Sequence, residues 1–265
     1  MAFVTVDGAR LNYEITGVGT DLVLLHGLGN DLTIWDAEAE FFSKFHRVLR
    51  LDVRGFGKSD KPDGPYSPAL FAIDLCQVMD ACAVRTAHVL GISMGGVIAQ
   101  RFGLDFPERV RSLILVSTSS EVGEKSTAVW QRLADRIERT GFDAKTVDAS
   151  RSVSPAFAQR HPEAVAALAR RNAACDPKGY ARGARAVSAY NWTAELARLK
   201  APVLILQGLD DQLTPPGGSV KMSRVLPHAR LLMIEQAGHN LPLEQPALFR
   251  NAVAAFTAGV DGRLD

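Results

Sequence analysis

Apolar runs alternate along the chain with segments of helical spacing. Runs typical of strands buried on both faces of a parallel sheet lie at residues 22–25, 47–52, 87–92, 111–117, 203–207 and 230–235. Apolar positions three and four apart predict helices at residues 69–81, 95–106 and 246–256. Strands that alternate with helices predict a mainly parallel sheet covered on both faces by helices.

The chain opens with a different pattern. Residues 2–6 and 10–16 alternate between apolar and polar positions, and Asp7-Gly8 between them is a turn signal. These residues predict an antiparallel hairpin at the start of the sheet.

Residues 121–196 lack any strand pattern and are rich in Ala and Arg. Amphipathic spacing at 128–139 and 163–174 predicts helices there. We therefore expect an α/β core made of residues 1–120 and 197–265. The helical cap, residues 121–196, is expected as an insertion after the sixth strand.

The sharpest local motif is Gly91-Ile92-Ser93-Met94-Gly95-Gly96, between a predicted strand and a predicted helix. This is the context of a nucleophile elbow, in which small flanking residues permit a turn tight enough to project the serine. The helix that follows directs its N-terminal N–H groups toward developing negative charge. The pattern predicts Ser93 as a nucleophile; a glycine-rich turn without chemistry is the alternative.

A serine needs a base, and the base needs an orienting acid. His239 follows the last predicted strand, at the sheet edge where open α/β sheets place their ligands. Asp210 and Asp211 both follow the preceding strand, and the residues alone do not choose between them. Either choice places serine, aspartate and histidine in the chain order used by α/β-hydrolases.

Backbone N–H groups near the serine would complete such a site as an oxyanion hole. We assign them to Met94, directly after the nucleophile, and to Leu28, in the loop after the strand at 22–25. His26 is expected to shape this loop, with direct contact to a substrate as the alternative.

Charge and cysteine content exclude several classes of protein. The 30 basic and 29 acidic residues leave a formal net charge of +1, so neither a nucleic acid nor an anionic membrane is an expected partner. No stretch predicts a signal peptide or a membrane span. The cysteines are few and odd in number (Cys76, Cys82 and Cys175). This favours free thiols, and with them a cytoplasmic location. Oligomeric state has no signature here.

Cofactor and metal sites are not predicted. Gly27-Leu28-Gly29 follows a strand, but Leu32 stands where a dinucleotide fingerprint has its third glycine. No His, Cys and carboxylate residues recur at metal-ligand spacing along the sequence.

The chain resembles the α/β-hydrolase superfamily over nearly its whole length. The resemblance rests, in order, on the 26–29 loop, Asp52-Val53-Arg54-Gly55-Phe56-Gly57-Lys58-Ser59, the Ser93 elbow, and Gly208-Leu209-Asp210-Asp211 with Gly238-His239. It implies a serine hydrolase with Asp211, three residues after the glycine, as the acid. It also implies that Asp52 and Arg54 are mainly structural.

Within the superfamily the chain is similar to 3-oxoadipate enol-lactonases and small carboxylesterases. The similarity lies in Leu28-Gly29-Asn30-Asp31-Leu32 with Trp35, in Ala128-Val129-Trp130 and in residues 176–181; His26-Gly27 departs from the Asn-Ser that those enzymes often carry. It implies hydrolysis of an ester or lactone, without a cofactor. Trp130 either lines the pocket or packs the cap onto the core.

Other chemistries on the same fold remain alternatives. C–C bond hydrolysis and a cofactor-free perhydrolase or haloperoxidase activity use the same three residues, and a ligand-binding protein without catalysis is a further possibility. Ser93 argues against the relatives that use an aspartate nucleophile.

Overall fold

The computed structural model describes residues 2–143, 146, 148–226 and 228–262. Within them, eight strands form one sheet in the order β1-β2-β4-β3-β5-β6-β7-β8. The strands are β1 (Ala2–Val6), β2 (Ala9–Thr16), β3 (Thr20–Leu25), β4 (His46–Leu51), β5 (Ala87–Ile92), β6 (Val110–Val116), β7 (Val203–Gly208) and β8 (Ala229–Ile234). β2 pairs antiparallel with β1 and β4, and the other pairs are parallel. The predicted mainly parallel sheet and its leading hairpin are confirmed.

The helices of the described residues connect and cover these strands. They are α1 (Asp36–Phe42), α2 (Pro68–Ala81), α3 (Met94–Asp105), α4 (Glu124–Thr140), α5 (Pro155–Arg160), α6 (Pro162–Ala173), α7 (Pro177–Ala186), α8 (Gly217–Val225), α9 (Leu241–Glu244) and α10 (Pro246–Val260). The sequence pattern did not predict α1, α8 and α9. They are short, so each offers at most two or three turns over which a helical period can be recognised. None of the helices in the described part of the chain combines the length and apolar character needed to span a bilayer.

Two apolar cores lie on opposite faces of the sheet. One contains the buried faces of α2 and α3 together with Met222 of α8. The other joins Trp35 and Phe42 to Phe249 and Val253 of α10, and the rings of Trp35 and Phe249 stack at 6.3 Å. β5 is buried at every position because it runs between these cores. The turn that follows its carboxyl end, at Ser93, lines a cavity.

Helices α4–α7 form an insertion between β6 and β7, and α4 packs against α7. The approach of α7 to the 55–56 loop requires glycine, because a Cβ on Gly179 would lie 2.0 Å from the Gly55 carbonyl oxygen. Ion pairs from Arg171 to Asp31 and from Arg182 to Asp63 also join the insertion to the loops above the sheet. These contacts position the insertion over the carboxyl ends of the strands.

Candidate active site

Ser93 occupies a sharp turn between β5 and α3. Its backbone has φ 54° and ψ −117°, a conformation that non-glycine residues rarely adopt. The turn leaves no space for neighbouring side chains: a Cβ on Gly91 would lie 2.1 Å from the Gly95 carbonyl oxygen, and one on Gly95 would lie 2.2 Å from that of Leu25. The strand–turn–helix context expected around Ser93 is therefore present, and its backbone strain of ~1–3 kcal/mol is held by the surrounding structure.

The structure pairs His239 with Asp211. Nδ1 of His239 donates a hydrogen bond to Oδ2 of Asp211 at 2.9 Å, and the Thr214 hydroxyl donates to the same oxygen at 2.7 Å. Oδ1 of Asp211 accepts from the backbone N–H groups of Leu213 and Thr214, both at 2.9 Å. Asp211 is buried, whereas Asp210 is exposed. This pairing orients the ring so that Nε2 is the nitrogen free of the carboxylate.

Asp211 is held in its charged form. Burial opposes ionisation, but the attraction of His239 and the hydrogen bonds from His239 and Thr214 outweigh it, so the pKa of Asp211 lies below its usual value. An ionised acceptor at this distance favours the tautomer of His239 that carries its proton on Nδ1.

The loop after β3 runs beside Ser93. A Cβ on Gly27 would lie 3.5 Å from the Cβ of Ser93, so the backbone of this loop reaches the serine closely. Leu28 lines the same cavity as Ser93, and Met94 is the first residue of α3. His26 is fully buried: it accepts from the Val53 N–H at 3.0 Å and donates to the Gly27 carbonyl at 2.8 Å. His26 therefore shapes the loop and does not reach the cavity.

Asp52 and Arg54 make structural contacts, as the resemblance implied. The carboxylate of Asp52 accepts backbone N–H bonds from Leu32 and Lys58, each at 2.7 Å. Arg54 makes a bidentate pair with buried Asp74, at 2.6 and 2.7 Å. Both groups brace loops at the carboxyl edge of the sheet.

Two cavities meet at Ser93. The first cavity, about 310 Å³, is lined by Val97, Val122, Val187 and Tyr190 among others. The second cavity, about 330 Å³, is lined by residues that include Leu28, Asn172, Tyr180 and His239. Ser93, Trp130 and Leu213 line both. Trp130 also packs against Ala134, Ala181 and Ala184.

The sequence analysis missed Glu244. This buried carboxylate accepts the Gly238 N–H at 2.9 and 3.0 Å and the Ser154 N–H at 2.7 Å. Asn240, on the other side of His239, donates through its backbone to the Ser152 carbonyl at 2.9 Å. The loop that carries His239 is thus fastened to the insertion on both sides. In the sequence, Glu244 is distinguished only by being the single acidic residue within 236–249.

A second group of titratable side chains lies near the amino ends of β4 and β5, away from the strand ends that carry Ser93 and His239. His46, His88 and Asp261 bring ligand-type atoms within 4.8 Å of one another. His88 donates to Asp261 at 3.1 Å and contacts the Ser112 hydroxyl at 2.7 Å, so these three side chains form a hydrogen-bond network, while His46 bonds to the Thr257 hydroxyl at 3.1 Å. Asp261 stands 173 residues beyond His88, which is why no ligand spacing was visible in the sequence.

Comparison with known proteins places the chain in a family. Residues 21–246 match the family model described as alpha/beta hydrolase fold. The chain is 30% identical, over 95% of its length and 94% of the relative, to 3-oxoadipate enol-lactonase 2 of Acinetobacter baylyi.

Solved structures agree with this match. The enol-lactonase from Burkholderia xenovorans LB400 superimposes with a TM-score of 0.91 at 28% identity, covering 97% of this chain and all of that one. A thermophilic esterase from Thermogutta terrifontis gives 0.90 at 28% identity and 97% coverage of both chains. The chain therefore belongs to the α/β-hydrolase family and is an enzyme of the hydrolase type.

Proposed function

We propose that the protein hydrolyses a carboxylic ester or lactone through an acyl-enzyme formed on Ser93. The observation that carries the proposal is the hydrogen bond between Asp211 and His239 at the wall of the cavity that Ser93 also lines. A nucleophile, a base and an orienting acid then act as one unit.

In the first half-reaction, His239 takes the hydroxyl proton of Ser93 as Oγ bonds to the carbonyl carbon. The backbone N–H groups of Leu28 and Met94 hold the resulting oxyanion. The bond to the leaving oxygen then breaks, and His239 returns the proton to that oxygen. In the second half-reaction, water loses a proton to His239 as its oxygen bonds to the acyl carbon. The bond from that carbon to Oγ of Ser93 then breaks, and His239 returns the proton to Oγ, which releases the acid.

The proposal extends to the helical insertion. Residues 121–196 act as a cap over a core made of residues 1–120 and 197–265, and Trp130 contacts the substrate from the cap. Support comes from the position of Trp130 in the wall of both cavities. The free thiols of Cys76, Cys82 and Cys175 support a cytoplasmic location.

The test is hydrolysis of p-nitrophenyl acetate and butyrate by the wild type and by Ser93→Ala. We expect turnover by the wild type and a loss on the order of 10⁶-fold in the variant, because the three residues act together. Ser93→Ala with near-full activity would refute the nucleophile.

A fluorophosphonate probe addresses the same serine without a substrate. Covalent labelling that requires Ser93 but occurs without ester turnover would favour C–C bond hydrolysis by the same residues. Absence of both labelling and turnover would count against the proposal as a whole.

A further inference from the structure

Apart from Ser93 and the exposed Ser126, the polar side chains of the first cavity are engaged by the protein itself. Their hydroxyl and charged groups bond to backbone carbonyls or to other side chains, as in Thr118, Ser119, Glu121, Tyr190, Thr214 and Lys221. The rest of this wall is largely apolar, with Val97, Val122 and Val187. A ligand here meets hydrocarbon and satisfied polar groups, which suits an apolar occupant.

The second cavity differs in this respect. Among the described residues, neither the Tyr180 hydroxyl nor the Asn172 carboxamide has a protein hydrogen-bond partner, yet both residues line the cavity. The Tyr180 ring is fixed, because it meets Phe142 edge to face at 5.2 Å and lies 3.0 Å from a Cβ placed on Gly29. Burial raises the pKa of this hydroxyl, so it stays protonated and can donate. The Tyr180 hydroxyl and the Asn172 carboxamide are therefore open to hydrogen bonds with a ligand in this cavity.

The position of His239 decides which half of an ester enters which cavity. His239 belongs to the wall of the second cavity and, among the described residues, not to that of the first. Because the base must return a proton to the leaving oxygen, the leaving alcohol must lie on the side of His239. The acyl group then extends to the other side of Ser93.

We infer that the first cavity binds the acyl group and the second binds the alcohol. The inference rests on the proposed function and specifies its substrate class. That class is an open-chain ester of an apolar acid with an alcohol that carries further hydrogen-bonding groups, held by Tyr180 and Asn172.

The experiment compares two esters that share one acyl group, propyl butyrate and 2,3-dihydroxypropyl butyrate. For each enzyme the measured quantity is kcat/KM for the dihydroxypropyl ester divided by kcat/KM for the propyl ester. We expect Tyr180→Phe and Asn172→Leu each to lower this ratio by about three- to tenfold, which is the effect of losing one neutral hydrogen bond. Tyr13→Phe, a matched change on β2, should keep the wild-type ratio. Unchanged ratios in both test variants would overturn the alcohol assignment.

A crossed pair of larger side chains tests the direction. Val187→Phe should lower kcat/KM for p-nitrophenyl octanoate relative to acetate by about tenfold or more. Leu168 lies in the wall of the second cavity. Leu168→Phe should lower kcat/KM for benzyl butyrate relative to ethyl butyrate by a similar factor. The reverse pattern, in which Leu168→Phe changes acyl preference and Val187→Phe changes alcohol preference, would overturn the inference.

The wild type is measured first, together with Ser93→Ala. Ser93-dependent turnover with unchanged ratios defeats the inference and leaves the proposed function standing. A wild type that hydrolyses a small lactone but none of these esters defeats the inference alone, and one that hydrolyses neither esters nor lactones and takes no fluorophosphonate label defeats both. Tyr180→Phe removes one oxygen and adds no volume. The inference can therefore still be tested with this variant if a larger side chain in the other variants prevents folding.

Discussion

Oδ2 of Asp211 lies 2.9 Å from Nδ1 of His239, whereas the adjacent Asp210 is exposed to solvent. Asp211→Asn keeps the shape of the side chain but removes its charge and lets an amide face the imidazole. We expect kcat to fall by about 10³–10⁴-fold, since the ring loses its orienting acceptor.

Asp210→Asn is the matched control, and its kcat should stay within about twofold of the wild type because surface substitutions away from special features have small effects. Both are measured on p-nitrophenyl butyrate under saturation. Equal losses in the two variants would contradict the assignment of Asp211.

Glu244→Gln tests how the His239 loop is held. The carboxylate receives the N–H groups of both Gly238 and Ser154, and a glutamine oxygen cannot serve both in the same way. We expect a loss of about 1–3 kcal/mol in the free energy of unfolding. We also expect a kcat about tenfold lower with little change in KM, because the loop carries His239, the proposed base.

The activity readout separates positioning from simple loss of fold. Steady-state kinetics are measured well below the unfolding transition, where the variant is fully native by circular dichroism. A wild-type kcat under those conditions would show that Glu244 stabilises the fold without positioning His239.

Gly95→Ala tests how closely the turn at Ser93 packs against β3. The new Cβ would lie 2.2 Å from the Leu25 carbonyl oxygen, and backbone cannot move aside as a flexible side chain can. We expect a loss of about 3 kcal/mol in the free energy of unfolding from overpacking. Gly217→Ala, where the Cβ would meet no atom within 4 Å, should be within about 1 kcal/mol of the wild type. Urea titration distinguishes them, and equal midpoints would contradict the close packing.

His88 predicts a pH dependence of stability. Burial is the main cause that lowers the pKa of His88 to about 4; His46 and Arg111 act in the same direction, and Asp261 opposes them. The unfolded chain takes up a proton near pH 6.5 and the folded one does not until about pH 4, so stability falls as the pH decreases through that window. The loss attributable to this residue is up to about 3 kcal/mol.

His88→Gln removes the titrating group from this network. The variant should start less stable at neutral pH, since its hydrogen bonds change, but it should lose less free energy of unfolding between pH 6.5 and 4. Urea titrations at several pH values measure this slope. A slope equal to that of the wild type would assign the dependence to other groups.

The turn at Ser93 was predictable because its cause is local. Residues 91–96 contain the small side chains that the turn requires, and the flanking strand and helix have strong apolar periods of their own. The parallel sheet followed from the same periods. Local propensity and apolar spacing act within a few residues of the chain, so they can be recognised without knowledge of the fold.

The choice between Asp210 and Asp211 was different in kind. Both carboxylates follow the same strand, and the turn after β7 decides which one enters the interior and which one faces solvent. The superfamily resemblance favoured Asp211, while the residues themselves left the choice open. Side-chain direction after a strand depends on loop conformation, and only packing against β8 and its loop determines that conformation.

The sequence by itself determined the order of strands and helices along the chain, the turn at Ser93 and the placement of two aspartates and His239 after strand ends. Only the tertiary structure decided that Glu244 fastens the His239 loop to the insertion, that Trp130 lines two cavities, and that Asp261 meets His88 across 173 residues. The first set depends on short-range periodicity. The second depends on contacts between distant segments, whose partners no local pattern specifies.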